Sequence, residues 1–192
     1  MGSEPLTLGF DTSAAHCAAA LLSGDRVLAC CAEEMGRGQA ERLVPLLEEV
    51  LAEGGARWRD LDRIGVGIGP GNFTGIRISV ATARGVALSL GISAFGISIF
   101  DVIRARTPSG TPAVPAPRGM AHVIGPGEVP ALIPAVEVSN PAWPPSPADL
   151  AQAIAILAQS APAGAPPPAP LYVRPADAAP ARDAPPTILD DA

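Results

Sequence analysis

Lysine is absent: all 13 basic residues among the 192 are arginines. That excludes a phosphate-loop lysine, a Schiff-base lysine and a lysine general base together. Aromatic residues are scarce, at 4%, and the two histidines, His16 and His122, stand far apart, so no H-x-x-x-H or Cys/His metal cluster can be written. The three cysteines, Cys17, Cys30 and Cys31, show no C-x-x-C spacing. An odd count with an adjacent pair reads as reduced thiols in a reducing compartment. No basic-then-apolar leader is visible at the start. The longest apolar stretch, Val86 to Phe100, is interrupted by Ser and Gly and too short to cross a bilayer, so a cytoplasmic protein without a membrane partner is expected. Basic charge is the minority, 13 against 19 acidic residues for a net −6, which argues against the broad basic face that direct nucleic-acid binding needs.

Proline is nearly missing from the first part of the chain and abundant in the rest. Residues 1–106 hold 3 of the 23 prolines and 15 of the 20 glycines. The composition therefore predicts an ordered unit over 1–106 and a reduced, Pro-rich second half over 107–192 with disorder in part of it. Within the first unit, Leu6 to Phe10, Cys17 to Leu22 and Val27 to Cys31 read as three strands in hairpin order. Leu43, Leu46, Leu47, Val50 and Leu51 then mark one face of a helix from Gln39 to Glu53, which Pro45 is expected to kink. Arg63 to Ile68 is a strand, Phe73 to Leu90 a helix rich in small residues, Ala94 to Ile97 a strand and Ser98 to Arg106 a helix. The order βββαβαβα predicts an α/β fold, a ribonuclease-H-like mixed sheet with helices on its faces. Further on, Ser146 and Pro147 start a short amphipathic helix that ends before Pro162, and Leu171 to Val173 reads as a strand.

Two stretches carry candidate chemistry. Gly69, Gly71, Thr74 and Gly75 lie in a glycine-rich segment at a strand end and helix start, where successive N–H groups can cradle an anion or simply allow close packing. The segment satisfies neither the dinucleotide fingerprint nor a Walker loop. Asp11, Thr12 and Ser13 follow the first strand, a placement suited either to a nucleotide-bound metal or to an ordinary turn. His16 and the cysteines read as packing residues rather than catalysts. Both helices would form a protein-docking surface if Leu43, Leu47, Val80 and Ala87 faced outward, with Glu41, Arg42 and Arg84 on its rim.

Phe10-Asp11-Thr12-Ser13, Gly36-Arg37-Gly38-Gln39-Ala40-Glu41-Arg42-Leu43 and Gly69-Pro70-Gly71-Asn72-Phe73-Thr74-Gly75-Ile76-Arg77-Ile78, in this order and spacing, resemble the TsaB (formerly YeaZ) family. Pro170 to Arg174 resembles its C-terminal signature. The resemblance implies an actin-like ATPase fold of two related halves. It also implies a non-catalytic paralogue of the TsaD transferase that supports threonylcarbamoyladenosine formation next to the tRNA anticodon. Family members pack the two helices against TsaD, pair as homodimers on the same surface when TsaD is absent, and are joined by the TsaE ATPase, with tRNA reached through the complex. Arg42, Leu43, Leu46, Leu47, Ile76, Val80, Arg84 and Ala87 are the interface residues so implied. Asp11, Thr12, Ser13, Gly69, Gly71, Thr74 and Gly75 would be a vestigial nucleotide or phosphate loop, with ATP and Mg²⁺ assigned to the partner or a shared interface. TsaD-like proteins carry metal-binding histidines in the stretch corresponding to Ile99 to Ile103, where isoleucine has no lone pair to give a metal, so the resemblance implies that this chain cannot build that centre. The family's Asp-Ala-Arg segment is missing from the Pro-rich connection Thr107 to Arg118, and Val123 to Gly127 stands where a later strand and turn would be. A shortened second half and a partly open cleft are therefore expected. The competing reading is a small actin-like ATP-dependent phosphotransferase or hydrolase using Asp11 and the Gly69–Gly75 loop. A homodimeric module unrelated to tRNA is a third.

Overall fold

A computed structural model describes residues 4–124, 129–162 and 164–173. The alternation of strand-forming and helix-forming stretches produces β1 (Leu6–Asp11), β2 (His16–Ser23), β3 (Arg26–Glu34), α1 (Gln39–Glu53), β4 (Arg63–Gly67), α2 (Phe73–Leu90), β5 (Ser93–Ile97) and α3 (Ile99–Arg106). Their sheet has the order β3-β2-β1-β4-β5, antiparallel across the two hairpins and parallel from β1 through β4 to β5. Helix α1 runs through Pro45 without a break, and Pro45 faces solvent, so the missing donor opens no hole in the core. Asn72 caps α2, its Oδ1 accepting from the amides of Thr74 and Gly75, and Gly91 ends the helix in the left-handed conformation.

Period-two alternation in β2 sends Cys17, Ala19 and Leu21 to one face and Ala18, Ala20 and Leu22 to the other, and all six are buried. The first face, with Leu8 and Phe10 of β1 and Ile64 and Val66 of β4, is covered by Leu43, Leu46, Leu47, Val50 and Leu51 of α1 and by Ala83 and Ala87 of α2. The second face is covered from further along the chain. After α3 come β6 (Thr111–Ala116), β7 (Met120–Ile124), β8 (Pro130–Pro134) and β9 (Pro141–Ala142), a small sheet of order β8-β7-β6-β9. Helix α4 (Pro147–Gln159) then returns to the first sheet and lays Ala151 and Ala155 against Ala18 and Ala20. Ser146 caps it and Pro147 opens it, as the sequence predicts.

Three sequence expectations change here. The boundary at 106 does not divide the fold, because α4 forms the outer layer of the first sheet while β6, β7, β8 and β9 form the small sheet. Thr111 to Ala116 is a strand, not a Pro-rich connection. The small sheet admits prolines because its edges are short: β9 supplies two residues, and β8 begins and ends on proline. Leu171 to Val173 is not a strand; the Leu171 amide donates to the Ile68 carbonyl at 2.8 Å, a single tie beyond the end of β4.

The last turn of α4 carries no basic residue of its own. Arg63 of β4 supplies the charge, its Nη1 donating to the carbonyls of Ala158, Gln159 and Ala161 at 3.3, 3.0 and 3.0 Å. Its guanidinium also lies 5.3 Å from the centre of the Phe95 ring. Arg63→Met keeps the stem and removes the donors, so it is expected to destabilise the chain by about 2 kcal/mol and to speed amide exchange at the end of α4. Unchanged exchange in that turn would show that the carbonyls do not depend on Arg63.

Candidate functional site

The turn after β1 and the loop after β4 meet, and their hydrogen bonds are spent on each other. Asn72 donates its amide to the Ser13 carbonyl at 2.6 Å, and the Thr12 hydroxyl donates to the Gly75 carbonyl at 2.7 Å. The amides of Thr74 and Gly75 go to Asn72 Oδ1 and that of Ile76 to the Asn72 carbonyl. A Cβ on Gly71 would collide with the Ser13 carbonyl oxygen, and one on Gly75 with that of Thr12. These two glycines therefore allow two backbones to touch. Gly69, at φ +95°, makes the turn itself, and its carbonyl accepts the Ile99 amide.

Asp11 is fully buried, and its Oδ2 accepts from the Ser13 amide and hydroxyl, both at 2.9 Å. His16 Nε2 lies 2.7 Å from the same oxygen. Oδ1 has no hydrogen-bond partner among the described residues and presses on Gly67, where a Cβ would overlap it. The Asp11–His16 pair was not legible in the sequence. Its only signal was that both residues flank one tight turn, and register across β1 and β2 is what brings them together. His16 also lines a cleft of about 610 Å³ between this turn, the start of α2, β6 and the Trp143–Pro147 segment. The cleft wall is mainly proline and apolar side chains, with Ser13, His16, His122, Gln39 and Asn72 as polar members and neither arginine nor carboxylate. A Mg²⁺-nucleotide does not fit this arrangement: the amides of Asn72, Thr74, Gly75 and Ile76 are engaged, Asp11 is turned inward, and neither arginine nor lysine lines the wall to meet phosphate. No group of three or more potential metal ligands occurs among the described residues.

The residues expected at a docking surface divide by helix face. Leu43, Leu46, Leu47, Ile76, Val80 and Ala87 are buried inside the chain, which corrects their assignment as outward contacts. The periodicity showed that they share a face, but the sheet claims it, because Leu8, Phe10, Ile64 and Val66 need the cover. Arg84 is exposed. Arg42 is half-buried and engaged: Nε and Nη2 reach Glu33 at 2.8 and 2.6 Å, and Nη1 reaches Glu49 at 2.7 Å. Apart from Arg84, the outward faces carry residues other than those expected. On α2 these are Arg77, Ala81, Arg84, Gly85 and Leu88, the last 85% exposed; on α1 they include Val44, 41% exposed, and Pro45.

Hydrogen bonding to Arg42 lowers the carboxyls of Glu33 and Glu49 below the ordinary range and raises the guanidinium in turn. A carboxylate depressed in the folded state stabilises above its unfolded titration range, and that contribution disappears as pH falls through the folded value. Arg42→Met should thus differ from the parent in denaturant midpoint at pH 7 and converge with it near pH 3. A gap that persists at low pH would assign the difference to stem packing. All three cysteines are free thiols. Burial pushes Cys17 up to about 11, which keeps it protonated and unreactive at neutral pH.

A family model described as "TsaD: tRNA N6-adenosine threonylcarbamoyltransferase" matches residues 32–136. The chain is 34% identical over 98 residues to the tRNA threonylcarbamoyladenosine biosynthesis protein TsaB of Buchnera aphidicola, covering 51% of this chain and 46% of that one. It is 33% identical over 91 residues to Escherichia coli TsaB, covering 47% and 39%. The chain thus spans less than half the length of these curated relatives. The structure of YeaZ from Pseudomonas aeruginosa superposes with a TM-score of 0.58 at 28% identity over 70% of each chain, which agrees with an actin-like, ribonuclease-H-like fold for the mixed sheet of this chain. With the match covering more than half of its length, this chain belongs to the TsaD family of proteins, and TsaB and YeaZ are among the relatives it resembles.

Proposed function

We propose that this chain is a non-catalytic subunit that binds a TsaD-type transferase through the outward ridge of α1 and α2 and so supports threonylcarbamoyladenosine formation in tRNA. The observation that carries the reading is that ridge. Leu88 stands almost fully in solvent beside Ala81 and Gly85, on a helix whose inner face is already seated, so packing within the chain does not account for it. Small residues at 81 and 85 allow another helix to approach closely. Ile99, Phe100, Val102 and Ile103 face a core, which supports leaving metal chemistry to the partner. In the same reading tRNA is reached through the complex, a TsaE-type ATPase joins it, and the ridge pairs with a second copy when the transferase is absent. No described helix is long and apolar enough to cross a membrane.

Leu88→Glu tests the placement. At so exposed a position the change should leave stability within about 0.5 kcal/mol, while affinity for the transferase, measured by calorimetry, should fall at least about tenfold. Equal binding would remove α2 from the interface. Absence of binding by the parent chain would remove the scaffold reading altogether, and tRNA modification reconstituted with and without the chain is the functional counterpart. ATP turnover by the chain alone, lost in Asp11→Ala, would replace it with the phosphotransferase or hydrolase reading.

A further inference from the structure

We infer that Arg77 is a preformed carboxylate receptor at one end of the docking ridge, a residue that fixes the partner's register by taking an acidic side chain of the transferase; this rests on the docking reading above. Arginine side chains in water sample many rotamers, and holding one still costs binding energy. Here folding has already done so. The Arg77 guanidinium lies 3.8 Å from the Phe73 ring centre, and its Nε donates to the Tyr172 hydroxyl at 2.8 Å. The Tyr172 ring is a further neighbour at 5.8 Å, and the two rings are 5.0 Å apart. A guanidinium stacked by its face and held through Nε keeps the edge bearing both terminal nitrogens for an acceptor in its plane.

That edge is unclaimed. Arg42 is engaged by two glutamates, whereas no carboxylate among the described residues lies within ion-pair distance of Arg77. Helix α2 contains no acidic residue, and its two charged side chains, Arg77 and Arg84, are both exposed. Seven residues apart, they lie two turns and roughly 10 Å along one face. In a chain of net charge −6, α2 is a local basic track, complementary to an acidic stripe on a protein. Two cations at that spacing are too few for the phosphate footprint of a nucleic acid, which favours a protein carboxylate over RNA. The clamp also explains why Tyr172, 95 residues further along the chain, is held against the first turn of α2.

The test titrates the full chain with the TsaD-type transferase at 50 and 500 mM NaCl. The parent should weaken with salt. Arg77→Met, which keeps an apolar stem against Phe73, should bind about tenfold more weakly at low salt and lose much of the salt dependence. Arg77→Lys should recover part of the affinity, and Tyr172→Phe should weaken binding by about threefold while leaving the salt dependence in place. Thermal melting confirms folding, with Arg77→Gln used in place of Met should the latter unfold. If the parent binds and the Arg77 variants match it in affinity and salt response, the receptor is overturned while the docking ridge stands. If they bind the transferase normally but retain less tRNA, the acceptor is phosphate and the inference fails. Failure of the parent to bind overturns the docking reading itself.

Discussion

Gly9→Val is expected to detach α4 from the sheet and destabilise the chain by about 3 kcal/mol, the upper part of the range for overpacking a filled core. Gly9 of β1 pairs with Ala20 of β2 on one side and Gly65 of β4 on the other, so three small residues form a trough across the sheet. Helix α4 lies in that trough with its backbone. A Cβ on Gly9 would overlap the Ala151 carbonyl oxygen and come 2.6 Å from the Ala155 amide nitrogen; one on Gly65 would come 2.8 Å from the Ile154 carbonyl. Backbone cannot rotate away as a side chain can, so the helix must lift as a body and uncover Ala18, Ala20 and Leu22. Urea denaturation should show the lower midpoint, and amide exchange should rise along 151–158 while α1 remains protected. The internal control is Gly85→Ala, where an added Cβ meets nothing within 4 Å and helix propensity favours alanine by about 1 kcal/mol. A Gly9→Val protein as stable as the parent would mean that α4 is not seated as described.

Leu43→Asp is expected to unfold the chain or cost more than about 4 kcal/mol, because it places a carboxylate with no partner in the core between α1 and the sheet. Leu88→Glu, one helix away and equally apolar at the start, should leave the fold intact. The contrast separates two roles that a binding assay alone confuses. Loss of transferase binding by Leu43→Asp reports an unfolded subunit, whereas loss by Leu88→Glu in a folded protein reports the interface. Circular dichroism and a denaturation curve for each variant are sufficient. If Leu43→Asp folds normally, the burial of the α1 face is wrong and the outward assignment of Leu43 returns.

Much of the fold was legible because its signals are local. Three hairpin-ordered strands, the 3.6-residue stripe of Leu43 to Leu51 and the cap at Ser146 each depend on residues close in sequence, and each element formed where it was expected. The prolines of Thr111 to Ala116 misled because composition reports the average cost of lost donors, whereas a strand is penalised only where a neighbour demands them. Thr111 to Ala116 meets few such demands. The glycine-rich segment had two readings, and the choice between them depended on the Ser13 and Thr12 carbonyls, which lie about 60 residues away in sequence.

By itself the sequence established the kinds of elements, their order, the absence of lysine chemistry and the resemblance that the comparisons support, since these follow from residue identity and short-range spacing. Which face of α1 and α2 is spare, that α4 rather than a separate domain closes the first sheet, and that Asp11 turns inward to His16 were decided by tertiary structure alone. An amphipathic helix announces that it has an apolar side, but only the competition among all surfaces for cover determines what lies against it.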